Sequence, residues 1–275
     1  MRIESNGVSI ECELHGPEDG PAVLLLHGFP DDRSLWRHQV PALAGRGFRV
    51  VVPDQRGFGA SDKPTEVGAY AMPLLVGDAL AVLDHLGVER AHVVGHDWGA
   101  AVAWALASLA PDRADHLVAL SVGHPAAFRA AGYEQRQKTW YILLFQFEGV
   151  AERWLSDDGF RNLREWAQHP EADAVAARMS EDGALTAALN WYRANLPPET
   201  LLAGPPELPP VPSPTLGVWS SGDIALTEAN MVGSAAYLAG PWRYERMDGI
   251  GHWIPLEAPD RLNELLLDFL PSPAG

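Results

Sequence analysis

The sequence predicts an α/β fold, a mostly parallel, doubly wound sheet carrying a helical cap insertion, and three patterns predict it. Short, nearly continuous apolar runs recur at 23–26, 50–52, 92–94 and 117–122, as strands buried on both faces of a parallel sheet require. Helical stretches at 36–44, 72–86 and 98–109 alternate with them, and that alternation builds a parallel sheet with crossover helices. From 125 to 210 it stops. This stretch holds Trp140, Trp154, Trp166 and Trp191 on helical runs with no convincing strand, and strand signals resume at 214–219 and 242–247.

Each element has a local reason. Asn6-Gly7 is a hairpin turn signal between the alternating segments 2–5 and 8–15, since both residues tolerate the positive φ of a two-residue turn. The helix at 98–109 is Ala-rich and is stopped by Pro111. The run Gly204-Pro205-Pro206-Glu207-Leu208-Pro209-Pro210-Val211-Pro212 cannot lie inside regular helix or sheet and reads as a linker. A final amphipathic helix is expected over 259–270. The division is therefore a core of 1–124 and 211–275 with a cap of 125–210.

Composition narrows the function classes. The chain has 275 residues, 47% of them hydrophobic, enough to bury roughly 70–75% of the unfolded surface. Thirty-six acidic against 20 basic side chains give a net charge of −16. That argues against nucleic acid, which needs a Lys/Arg footprint, and against an anionic membrane surface. Cys12 is the only cysteine, so no internal disulfide forms, and no Cys/His pair has zinc-finger spacing. The N-terminus lacks the apolar segment of a secretory signal, and the run 99–110 falls short of the ~20 residues of a membrane span. A soluble, cytoplasmic monomer or homodimer without metal or cofactor is expected.

The informative segment is Gly95-His96-Asp97-Trp98-Gly99 between a strand and a helix. Glycines on both sides of Asp97 permit a sharp turn that lifts its side chain above the strand ends, with a helix N-terminus directly behind. Alone, Asp97 would read as a helix N-cap. Its companions change that reading. His27-Gly28-Phe29-Pro30 follows the strand at 23–26, Ser220-Ser221-Gly222-Asp223 follows the strand ending at 219, and Gly251-His252-Trp253 follows the strand ending at 247. All converge where open α/β sheets bind ligands. The chain order Asp97, Asp223, His252 is nucleophile, acid, base. A carboxylate needs no deprotonation, and the positive end of the following helix favours its ionised form. Its natural work is displacement at carbon, giving an alkyl ester.

On these segments, with Trp36-Arg37-His38-Gln39 and Asp54-Gln55-Arg56-Gly57-Phe58-Gly59-Ala60-Ser61, the sequence resembles the α/β-hydrolase family and, within it, the soluble epoxide hydrolases. The likeness covers essentially the whole chain. Tyr141-Ile142-Leu143-Leu144-Phe145-Gln146 looks like the cap segment that carries the family's first ring-opening tyrosine, and Asn190-Trp191-Tyr192-Arg193 like the one that carries the second. The resemblance implies that an apolar or aromatic epoxide becomes a vicinal diol through an ester on Asp97. Tyr141 and Tyr192 would donate to the ring oxygen, and the backbone N–H groups of Phe29 and Trp98 would form the oxyanion hole. His252 would activate water while Asp223 orients it. Phe29, Trp98, Trp140, Phe145, Trp191 and Trp253 are the expected substrate contacts.

Haloalkane dehalogenase is the nearest alternative, with Trp98 as one halide donor. Against it, Phe29 stands where many dehalogenases carry Asn, and the two tyrosines would have no use. A non-catalytic binder of the same fold is a minor alternative. His96 is expected to support the site, His27 to bond loop backbone, Asp54 to be structural, and Asp31 and Asp32 to form a solvated turn. His15, His38, His85, His92, His116, His124 and His169 show no metal spacing and are expected at the surface or as satisfied core residues.

Overall fold

In a computed structural model, residues 1–271 are described. The hairpin forms at Asn6-Gly7. β1 (Arg2–Ser5) and β2 (Val8–His15) pair antiparallel with Ser5 opposite Val8, and the turn residues take φ of 48° and 81°. β3 (Ala22–Leu26), β4 (Arg49–Pro53), β5 (Ala91–His96), β6 (Ala114–Leu120), β7 (Thr215–Ser220) and β8 (Trp242–Met247) follow. Among the described residues these eight form one sheet in the order β1-β2-β4-β3-β5-β6-β7-β8. From β4 to β8 all pairs are parallel. The winding reverses at β3, which has β4 on one side and β5 on the other, so the loops after β3 and β5 border the same crevice.

Both faces of the sheet are covered, which is why its strands are apolar throughout. Val23 and Leu25 of β3 belong to one layer with Leu43 of α1 (Gln39–Ala44), while Leu24 and Leu26 belong to the opposite layer. That second layer takes in α2 (Met72–His85) and α3 (Trp98–Leu109). The helical insertion contributes α4 (Pro125–Ala130), α5 (Gly132–Lys138), α6 (Trp140–Phe145), α7 (Val150–Ala167), α8 (Ala172–Met179) and α9 (Ala184–Asn195). Helix α7 is broken at 157–160, where the backbone leaves helical angles. After the proline-rich stretch, α10 (Glu228–Gly233), α11 (Ile254–Glu257) and α12 (Pro259–Phe269) complete the chain, with Leu262, Leu265 and Leu266 packed beside α1 on the first layer.

Two expected elements move. The helix expected at 36–44 is a 3₁₀ turn over Arg33–Trp36 followed by α1, because Asp32 caps the turn from Ser34 N and starts it early. The strand expected at 117–122 is β6, three residues earlier. The chain leaves extended geometry at Ser121, whose φ is 67°. A bulge between β5 and β6 lets Asp115 and His116 both face His92 inside that strand, so polar residues occupy its beginning.

Candidate active site

Asp97 joins β5 to α3 with φ 52° and ψ −123°, angles that an L-residue holds only when its surroundings impose them. The surroundings are backbone. A Cβ at Gly99 would overlap the Leu26 carbonyl, and one at Gly28 would overlap the Asp97 carboxylate. Only glycine lets the loops after β3 and β5 approach this closely. In return the Phe29 N–H donates to Asp97 Oδ1 at 2.8 Å. The Phe29–Pro30 peptide is cis. His27 fixes the start of that loop, accepting the Gln55 N–H on Nε2 at 2.9 Å and donating from Nδ1 to the Gly28 carbonyl. The Trp98 N–H makes no hydrogen bond to the carboxylate among the described residues.

His252 arrives on the loop after β8. Its Nδ1–H donates to Asp223 Oδ2 at 2.9 Å, and its Nε2 lies 3.6 Å from Asp97 Oδ2. Asp223 Oδ1 accepts the N–H groups of Ala225 and Leu226, each at 2.8 Å. The His252 carbonyl is held by His96 Nε2 at 2.9 Å and by Ser121 Oγ at 3.2 Å. Burial opposes charge on His252, but the carboxylates of Asp223 and Asp97 outweigh it and raise its pKa to about 10. Burial also works against the charge of Asp223, and the facing imidazolium together with the two N–H donors pulls its pKa below the usual carboxylate range. His96 lacks such partners, and burial pushes it down to about 4, leaving a neutral ring that positions the loop.

Two spaces meet Asp97. A cavity of about 520 Å³ is lined by Asp97, Trp98, Phe128, Tyr141, Tyr192 and Leu226. A second of about 20 Å³ is bounded by Asp97, His252, Phe29, Trp166 and Trp253, and again by the two tyrosines. Burial, reinforced by the nearby Asp97 charge, raises the pKa of Tyr141 and Tyr192 well above that of a free phenol. Both stay protonated across the neutral range.

A family model described as alpha/beta hydrolase fold matches residues 21–259. The chain belongs to the α/β-hydrolase fold family. Epoxide hydrolase A of Mycobacterium tuberculosis is 33% identical to this α/β hydrolase, over 98% of this chain and 96% of its own length. Epoxide hydrolase 3 of Xenopus tropicalis is 32% identical over 98% of this chain and 77% of its own. Among solved structures, an epoxide hydrolase from metagenomes of hot environments superposes with a TM-score of 0.88 at 32% identity, covering 98% of each chain. Bacillus megaterium epoxide hydrolase in complex with an inhibitor gives 0.88 at 28% identity, covering 98% of this chain and 99% of its own.

In this α/β hydrolase Asp97, Asp223, His252, Tyr141, Tyr192, Phe29, Trp98 and Trp253 all border the two cavities or bond directly to a residue that does. Three expected substrate contacts lie elsewhere. Trp140 is 47% exposed and packs its ring on Trp154, on the outer side of α6. Phe145, fully buried, sits behind Tyr141 and Tyr192 as their packing partner. Trp191 donates its indole N–H to the Arg56 carbonyl at 2.9 Å and stacks behind Trp98.

Trp166, read from the sequence only as one of the insertion's apolar side chains, closes the small cavity, and Asp31 was misread. Asp31 is no solvated turn: it is 2% exposed and pairs with His169 at 3.2 Å and Arg178 at 2.9 Å, tying the loop after β3 to the insertion. Partners this far along the chain leave no local signal. Asp54 takes the Arg33 and Ala60 N–H groups at 2.9 Å each. His92, Asp115 and His116 gather at the opposite end of β5 and β6, where Arg90 also pairs with Asp115. Among the described residues no helix is long and apolar enough to cross a membrane.

Proposed function

We propose that the protein is an epoxide hydrolase working through an ester on Asp97, with 125–210 acting as a cap on the core. The observation that carries this reading is the placement of a carboxylate opposite two buried, protonated phenols in one apolar cavity. Relatives named epoxide hydrolases at about a third identity over nearly the whole chain support it.

Phe29 N–H occupies Oδ1, which leaves Oδ2 to attack. A bond forms between Oδ2 and one epoxide carbon, the ring C–O bond breaks, and the released oxygen takes a proton from Tyr141 or Tyr192. Two aimed donors act as an oxyanion hole built from side chains. In the free enzyme His252 is protonated between two carboxylates. Alkylation removes the charge of Asp97, one of the two groups that hold that proton, so His252 can release it to the tyrosinate left by ring opening and stand neutral, able to act as a base, once there is an ester to hydrolyse. Hydrolysis then needs one water beside His252. His252 takes its proton, the oxygen adds to the Asp97 carboxyl carbon, and Oδ1 becomes an oxyanion beside the Phe29 N–H. Collapse breaks the bond between the carboxyl carbon and Oδ2, that oxygen takes the proton from His252 and leaves with the diol, and the new Asp97 carboxylic acid returns its own proton to His252.

The dehalogenase reading has less support, because it leaves Tyr141 and Tyr192, both protonated and bordering the same cavities as Asp97, without a use. The deciding experiment is the intact mass of a His252→Gln variant mixed with styrene oxide. The expected result is a protein heavier by one epoxide that persists for minutes. Absence of any adduct, with the variant folded, would overturn the covalent reading.

A further inference from the structure

The two spaces at Asp97 are very unequal, and the boundary between them is where an epoxide ring must lie if it is to touch both tyrosines and the carboxylate. On one side the cavity of about 520 Å³ takes a large apolar group. On the other, the space of about 20 Å³ is the size of one water. A bare methylene fits there and an alkyl chain or ring does not. Resting on the epoxide reading above, we propose that the protein selects terminal epoxides, with every bulky substituent on one ring carbon, and that Trp166 sets the limit by closing the second arm of the site.

Trp166 is the free variable among the groups that close this side. Phe29 is fixed by its bond to Asp97, and Trp253 is the chain neighbour of His252. Trp166 comes instead from the last turn of α7, packs its ring 4.5 Å from that of Tyr141, and takes no part in the chemistry. It is also anchored. The Ala167 carbonyl accepts the Trp253 indole N–H at 3.2 Å, and His169 and Arg178 hold the following segment to Asp31. A substrate with a second large group, in trans across the ring, would have to displace an indole whose following backbone is held in place. Trp166 is partly exposed to solvent, so shortening it opens the small space outward and turns a blind pocket into a second arm.

The test compares two isomeric octene oxides, one terminal and one trans with the ring at mid-chain, so that size and hydrophobicity are matched. Diol formation is followed with the parent protein, Trp166→Ala and Trp166→Leu, the last keeping an apolar stub in case the first fails to fold. The parent is expected to favour the terminal isomer by about 100-fold in kcat/KM, and either folded variant to shrink that ratio by about tenfold, the scale on which pocket volume discriminates. If the parent opens both isomers at similar rates, or the variants leave the ratio unmoved, the selectivity proposal falls and the epoxide reading stands. If the parent opens neither isomer, the epoxide reading falls and the selectivity with it.

Discussion

Asp97 is held at φ 52° where the loops after β3 and β5 approach closely, and a residue in such a conformation stores roughly 1–3 kcal/mol of strain. The strain has a use here, because it fixes Oδ1 on the Phe29 N–H and leaves the other oxygen facing the cavity. Replacing Asp97 by Asn keeps the shape and removes the proposed nucleophile, so diol formation is expected to fall by about 10⁴-fold or more, on the order seen when other enzymes lose theirs. The route of oxygen is a sharper check. In a single turnover in heavy-oxygen water, the label is expected in Asp97 and the diol is expected to carry an unlabelled oxygen from the carboxylate. Label appearing directly in the diol would mean that water attacks the epoxide itself. The convergence of Asp97, Asp223 and His252 was legible in the sequence because each lies on the turn or loop that follows a strand. Trp166 was legible only as an apolar cap side chain, since its place at the small cavity depends on how α7 packs over a loop far away in the chain.

At the scale of elements, the close crossing of β3 and α3 decides whether the turn at Asp97 can form. The strongest sequence signals were of this kind: Asn6-Gly7 for the hairpin, apolar runs for the buried strands, flanking glycines for the turn. Signals failed where polar residues entered an element. Asp115 and His116 hid the start of β6 because a bulge, which no residue pattern announces, turns both toward His92. The crossing makes a testable demand on Gly99. A methyl group there would meet the Leu26 carbonyl, a backbone atom that cannot swing aside as a side chain would. Gly99→Ala is therefore expected to lower stability by about 3 kcal/mol, the upper end for overpacking a dense interior. Its diol-forming rate should drop at the same time, because the Phe29 N–H and Asp97 separate. Urea unfolding midpoints beside steady-state rates would check this, and a stable, fully active variant would show that the crossing is looser than described.

Over the whole molecule the charge of −16 has little bearing on an apolar cavity, and the pH response is set by buried histidines instead. His92, His96 and His124 are all pushed down by burial to about 4, against an ordinary value of about 6.5 in the unfolded chain. A histidine whose folded pKa is depressed adds stability above the unfolded value and loses it as pH falls toward the folded one, because the unfolded chain binds the proton more tightly. His252 runs the other way. Raised to about 10, it is charged in both states below pH 6 and stabilises most there, so it adds no slope in acid and weakens the fold only as pH climbs toward 10. Between pH 6.5 and 5, above the range where the lowered carboxylates of Asp31, Glu152 and Asp223 add to it, the stability should therefore fall with a slope that approaches the uptake of three protons on unfolding. His124 is the cleanest place to test it, since it lies at the start of α4, stacked on Tyr237 and away from Asp97. Changing it to Gln, which can still accept the Ala126 N–H that His124 Nδ1 takes at 3.2 Å, should reduce that slope by about one proton. Urea unfolding of parent and variant at a series of pH values measures the slope directly. An unchanged slope would mean that His124 is already protonated in the folded protein, against the burial that surrounds it.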